Sequence, residues 1–115
     1  MALHIKRAYE DVSQGDGYRV LVDRIWPRGV SREEVRIDEW LKEIAPSTQL
    51  RKWFGHDPEK WPEFEKKYRT EIHENKKAWQ QLQDIYRDHP NLTLVYGAKD
   101  EAHNNAVVLQ KLLKK

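Results

Sequence analysis

The sequence predicts a single α/β domain spanning all 115 residues, a small and mainly parallel sheet of about three strands flanked by helices. Three observations lead there. Val20-Leu21-Val22 and Leu92 to Tyr96 are apolar runs of the kind found in strands covered on both faces. The long stretch between them carries helical one-face spacing. Finally, a buried strand followed by helices and a second buried strand fits a right-handed crossover to a parallel neighbour.

Taken in order, Leu3 to Tyr9 alternates in part and reads as a strand. Ser13, Gly15, Asp16 and Gly17 mark a loop, and Tyr18 to Asp23 forms the next strand. The loop is short for a helical crossover, so the first strand is either parallel or paired antiparallel. Trp26-Pro27-Arg28-Gly29 ends the sheet, because Pro27 offers no N–H donor and Gly29 tolerates unusual dihedrals. Ser31 with Glu34 is a capping box that starts a short helix. Asp38 is placed to cap a second turn with Trp40, Leu41 and Ile44 inward, which Pro46 ends. Ser47 caps the next helix, whose inner face is Leu50, Trp53 and Phe54 and whose C-terminal cap is Gly55.

Asp57-Pro58 opens another helix, but Pro62 delays the regular part to about Trp61. Trp61, Phe64, Tyr68 and Ile72 then keep one face, continued by Ala78 or Trp79, Leu82 and Ile85 or Tyr86. This is either one long helix or two with a break between His73 and Asn75. After the last strand, Asp100 is the expected cap of a final helix with Ala106, Leu109 and Leu113 inward.

Composition limits the function. Hydrophobic residues make up 38% and charged residues 35%, so five Trp, five Tyr and two Phe must build much of the core. With 21 basic and 19 acidic residues the net charge is +2, which gives no general drive toward DNA or membrane surfaces. The absence of cysteine removes disulfides, thiolate nucleophiles and Cys-based metal sites. The N-terminal residues lack the apolar stretch of a signal peptide and no segment is long enough to span a bilayer, so a cytoplasmic location is expected.

In open α/β sheets, ligands bind beyond the carboxyl ends of the strands. Two polar segments leave the buried strands there, Asp23 to Gly29 and Lys99 to Asn105. Parallel strands would gather Asp23, Arg24, Arg28, Lys99, Asp100, His103 and Asn104 around one space. Arginine forks, a lysine and free N–H groups at a helix start point to an anion pocket. The opposing reading is an Asp23–Arg pair that stabilises the loop and an Asp100 that only caps. Ser47, Arg51, His56 and Asp57 form a further polar group, in which Ser47 and Asp57 also have explanations as caps. No metal site is expected, since His56, Asp57, Asp100 and His103 are suitable ligand types without a ligand spacing. A Ser47–His56–Asp57 triad lacks a nucleophile elbow, and neither a P-loop nor a dinucleotide-binding Gly motif is present, so the sequence names no cofactor.

Four ordered motifs carry a resemblance. They are Val20 to Gly29, Trp40-Leu41-Lys42 with Ala45-Pro46-Ser47, Leu50 to Pro58, and Tyr96 to Asp100 with His103-Asn104. Together they resemble the YeaO-like family of bacterial proteins, a short branch of the domain of unknown function 488, over nearly the whole chain. The resemblance brings no established activity. It implies that enzymatic activity, if any, rests on Asp23, Arg24, Arg28, Lys42, Ser47, Arg51, His56, Asp57, Lys99, Asp100, His103 and Asn104. The family pattern often has His where this chain has Asn105, which argues against a metal ligand there. The longer branch carries a Cys motif that this chain lacks, so thiol chemistry does not transfer, and its parallel sheet favours the same arrangement here.

Three functions compete. The first is binding, with or without catalysis, of a small anionic molecule, phosphorylated or nucleotide-like. Arg24, Arg28 and Lys99 would hold it, His56 or His103 would serve as acid–base group, and Asp23 or Asp100 would orient the imidazole. The second is a nucleic-acid-binding or regulatory module using an exposed Trp26 with Arg24 and Arg28. The third is a non-catalytic scaffold whose polar motifs are structural networks.

Overall fold

The computed structural model describes residues 2–115. Four strands form one wholly parallel sheet: β1 (Ala2–Arg7), β2 (Tyr18–Leu21), β3 (Glu39–Trp40) and β4 (Asn91–Tyr96). Their spatial order is β1-β4-β2-β3. Leu3 lies beside Leu92, and Val20 lies between Leu94 and Glu39. All four strands therefore end along one edge. Five helices complete the fold: α1 (Arg32–Val35), α2 (Thr48–Phe54), α3 (Trp61–Glu74), α4 (Lys76–Asp88) and α5 (Asn105–Leu113).

The α/β class and the parallel sheet agree with the sequence reading, and four particulars refine it. The first strand is parallel, because β4 inserts between β1 and β2. Segment 8–17, with a single 3-10 turn at Gln14–Asp16, is long enough to run back along a strand of 6 residues without an α-helix. The fourth strand, β3, takes Glu39 and Trp40, so the helical turn expected after Asp38 is shortened to a 3-10 turn at Lys42–Ile44, with Leu41 and Ile44 buried as read. The open edge of β2 needs backbone partners, and the Asp38 and Leu41 N–H groups donate to the Arg19 and Leu21 carbonyls at 2.9 Å each. The Asp38 carboxylate accepts the Arg19 N–H at 2.8 Å instead of capping a helix. The helical stretch breaks at Asn75, whose N–H closes α3 while its side-chain amide donates to the Glu43 carbonyl at 2.8 Å. Lastly, Trp53 sits half-buried at the edge of the inner face, with the Lys67 ammonium 4.0 Å from its ring centre.

Alternation along the strands divides the sheet into two faces. Leu3, Val20, Val22, Leu92, Leu94 and Tyr96 face the main core, built with Leu50, Phe54, Phe64, Tyr68, Ile72, Leu82 and Leu109 of the helices. Leu21 and Val95 face a smaller cluster with Ala8 and Val35, edged by Trp26, Val30, Ile37 and Trp40. Both apolar runs are thus covered on both sides, as their composition requires.

The second face also holds a buried charge network. Arg19 is 2% exposed, and its Nη1 lies 2.6 Å from the Asp16 carboxylate. Its Nε and Nη2 donate to the Val35 carbonyl, and Lys6 reaches Asp16 at 3.0 Å. Thr93 closes the group by donating to the Asp16 carbonyl at 2.6 Å. Burial alone would raise the Asp16 carboxyl; the Ser13 N–H, the Lys6 ammonium and the Ser13 hydroxyl outweigh it and hold the pKa at about 2. The segment reaches this place through Gly17 at φ +66, where a β-carbon would strike the Asn91 carbonyl oxygen.

Replacing Asp16 with alanine should cost about 3 kcal/mol, because the Arg19 guanidinium would be left buried without its anion. Urea unfolding of the variant measures this directly. In the native chain the Asp16 contribution should be complete above the ordinary carboxyl value of 3.8 and be lost as pH falls through about 2.

Candidate functional site

At the carboxyl edge of the sheet the exits of β2 and β4 are tied together by one carboxylate. Asp23 follows β2, and its Oδ2 accepts the Gly97 N–H just after β4 at 2.8 Å. Its Oδ1 accepts from the Asn105 side-chain amide at 3.1 Å, and the same amide donates to the Val22 carbonyl at 2.9 Å. Trp40 holds the Asp23 backbone from the other side, donating its indole N–H to the carbonyl at 2.7 Å. A β-carbon at Gly97 would stand 3.2 Å from Asp23 Oδ2, so a small residue suits this approach. Burial raises the Asp23 pKa above the ordinary carboxylate value, opposed by the Gly97 N–H, the Asn105 amide and the Arg51 charge.

A cavity of about 490 Å³ opens around this knot. Arg24, Arg51, Lys52, His56 and His103 bring nitrogen to its walls. Phe54 and Phe64, stacked with ring centres 4.3 Å apart, belong to its apolar lining together with Ile25, Pro46 and Ala98. His56 is held in the left-handed region at φ 58, directly after the Gly55 cap. His103 stands between two partners, with Nδ1 2.8 Å from Asp100 Oδ2 and its ring edge-on to Trp61. This contact and the Ala102 and His103 N–H groups hold the Asp100 carboxyl below its ordinary range, the imidazole contact contributing most.

Arg24 differs from the rest of the group in carrying a buried side-chain nitrogen without a partner. Its Nε is buried without a hydrogen-bond partner, and its Nη2 reaches only the Ala45 carbonyl, at 3.4 Å. It also lines an adjoining cavity of about 380 Å³ with Ser47, Tyr68 and Glu71.

The sequence-based candidates separate accordingly. Asp23, Arg24, Arg51, His56, His103 and Asn104 all line the main cavity. Asp100 acts behind it, through His103. Arg28 and Lys99 do not reach it; both are exposed, and the Arg28 carbonyl accepts from Tyr9. Lys42 points its ammonium over the Trp40 ring at 4.5 Å. Ser47 caps α2 and donates to Glu71 at 2.6 Å, and Asp57 caps the turn at Pro58–Lys60. Asp100 does not cap the final helix as expected. Its carboxylate is consumed by the N–H groups of a local turn, and Asn104 caps α5 through the Val107 N–H at 3.1 Å.

Thr48, Lys52, Phe54, Phe64 and Asn105 join the site without having been singled out as site residues. Asn105 left a signal, an amide inside the first turn of an apolar helix, where a buried polar group requires partners. Trp26 is no exposed platform, since its indole donates to the Val30 carbonyl and its ring packs edge-on to Trp40. Among the described residues, no three His, Asp or Glu side chains gather as a metal-binding set.

A family model described as "Inactive DUF488-N3 subclade" matches residues 2–115. The uncharacterized protein YeaO of Escherichia coli (strain K12) is 42% identical over 114 residues, covering 99% of this chain and 98% of YeaO. The chain belongs to the YeaO-like DUF488 family. A further relative, the uncharacterized protein Rv3073c of Mycobacterium tuberculosis (strain ATCC 25618 / H37Rv), is 39% identical over 111 residues, 96% of this chain and 92% of its own. No solved structure matches the chain. The four motifs thus pointed to the right family, and the segments that carry the resemblance supply most of the cavity wall.

Truncating Asn105 to alanine should destabilise the fold by about 2 kcal/mol, since the buried Val22 carbonyl and Asp23 Oδ1 both lose their donor. Differential scanning calorimetry would register it. His56→Gly should act the other way, raising stability by about 1 kcal/mol through relief of the left-handed backbone; a loss of stability in chemical denaturation would contradict this account.

Proposed function

We propose that this chain binds a small anionic molecule, phosphorylated or nucleotide-like, in the cavity at the carboxyl edge of the sheet, and holds it without transforming it. The observation that carries the reading is Arg24. A charged guanidinium with one buried N–H unmatched and another weakly matched lacks an acceptor. Oxyanions that accept two parallel hydrogen bonds, such as carboxylate and phosphate, match the planar guanidinium fork and satisfy that need. Arg51 and Lys52 stand at the same cavity and add positive charge. The volume is in the range of small-molecule sites, and the mixture of apolar wall with a few polar groups is typical of them.

The description of the matching family as an inactive subclade favours binding over turnover. The Asp100–His103 pair then serves to fix an imidazole donor toward the ligand. The engagement of Trp26 in internal contacts weighs against nucleic acid, whose single strands need open aromatic faces. No helix among the described residues is long and apolar enough to cross a membrane, and a small phosphorylated ligand suits the cytoplasmic location we assign.

A thermal-shift screen of phosphorylated metabolites, followed by calorimetry, tests the reading. At least one should raise the midpoint of unfolding, and Arg24→Gln should weaken its binding by about tenfold or more while the protein stays folded. If no anion stabilises the wild type, the polar motifs are structural networks and the proposal fails.

A further inference from the structure

The cavity is not uniformly positive, and this narrows the ligand. Asp23 lies in the same wall as Arg24 and Arg51, yet none of the ion pairs among the described residues includes any of the three. Opposite charges sharing a confined space ordinarily close on each other. Here the carboxylate is fixed instead by uncharged donors, the Gly97 N–H and the Asn105 amide, one to each oxygen. A carboxylate can accept about four hydrogen bonds. The two made here leave acceptor capacity on Asp23. Arg24, a neighbour in sequence, retains an unmatched donor. An inorganic anion alone would satisfy the arginines but be repelled by Asp23. A ligand bearing both an anionic group and hydroxyl donors would answer both demands.

Building on the anion-binding reading, we infer that the ligand is a phosphorylated polyol, a sugar phosphate or the ribose phosphate part of a nucleotide. Its phosphate lies at Arg24 and Arg51, and its hydroxyls donate to Asp23. Asp23 is then the group that sets specificity and Arg24 the group that sets affinity. A charge-assisted hydrogen bond from a hydroxyl to a carboxylate is among the stronger neutral-donor contacts. Removing the hydroxyls should therefore cost a clear factor in affinity, while removing the carboxylate should cancel that factor.

The test measures dissociation constants by calorimetry for inorganic phosphate, ribose 5-phosphate, adenosine 5′-monophosphate and 2′,3′-dideoxyadenosine 5′-monophosphate. On the wild-type chain, the hydroxylated nucleotide should bind about tenfold or more tighter than its dideoxy counterpart. Ribose 5-phosphate should bind more tightly than inorganic phosphate. Comparable affinity for ribose 5-phosphate and the nucleotide assigns the sugar as the recognised part; a strong advantage for the nucleotide adds the base, held on the Phe54 and Phe64 wall. In Asp23→Asn the preference for hydroxylated ligands should collapse to about twofold or less, and inorganic phosphate should bind better than to the wild type.

Equal binding of the hydroxylated and dideoxy nucleotides to the wild-type chain, with both still weakened by Arg24→Gln, overturns this inference and leaves the anion site standing. Failure of all four ligands to bind overturns both. The wild-type comparison needs no variant, so an Asp23→Asn chain that does not fold leaves the inference open to refutation.

Discussion

Backbone hydrogen bonds on both sides of β4 hold β1 and β2 parallel to it, and the site depends on that pairing. With β4 parallel to β2, Leu21 and Tyr96 finish at the same edge, and the residues after each are brought within reach of one another. Asp23 and Gly97 can then meet at 2.8 Å, although 74 positions separate them along the chain. An antiparallel β2–β4 pair would send these exits to opposite ends, and no shared cavity would form. The bond also anchors α5, because Asn105 donates to the same carboxylate and to Val22 from the first helical position.

Asp16 is buried and Asp23 half-buried in this fold, and their treatment differs. Asp16 on the second face is neutralised by Lys6 and Arg19 and held at a low pKa, the arrangement of a structural ion network. Asp23 has neutral donors only, and burial raises its pKa. The first network completes itself within the protein. The second leaves a carboxylate and arginines in one cavity without pairing them, and the ligand we propose would answer that imbalance. The left-handed His56 backbone at the same rim is a further local cost placed beside the cavity.

Much of this organisation was legible in residues read singly or in short runs. The capping box at Ser31 and Glu34, the cap at Ser47, the Gly55 terminus and the delay of α3 to Trp61 all rest on local backbone chemistry, and each forms as read. Apolar runs marked β2 and β4, and helical spacing marked Phe64, Tyr68, Ile72 and Leu82 as core. The short β3 was hidden, because two residues have no periodicity and the edge of β2, not their own propensity, makes them a strand. Asp100 looked like the cap of α5 because cap chemistry is the same in a turn and at a helix start; only the turn that uses its oxygens distinguishes them.

By itself the sequence determined the fold class, the family, the position of most elements and the two segments that meet at the site. These follow from interactions between residues close in the chain, or from burial patterns that need no partner to be named. Tertiary structure decided which polar groups share the cavity. It kept Asp23, Arg24, Arg51, His56 and His103 there, excluded Arg28 and Lys99, and brought in Asn105 and the two phenylalanines. Side-chain direction at a loop is set by contacts across the fold, such as Tyr9 on the Arg28 carbonyl and Trp40 on the Asp23 carbonyl. Such contacts leave no period in the sequence, because each joins residues whose separation along the chain is fixed only once the strands have paired.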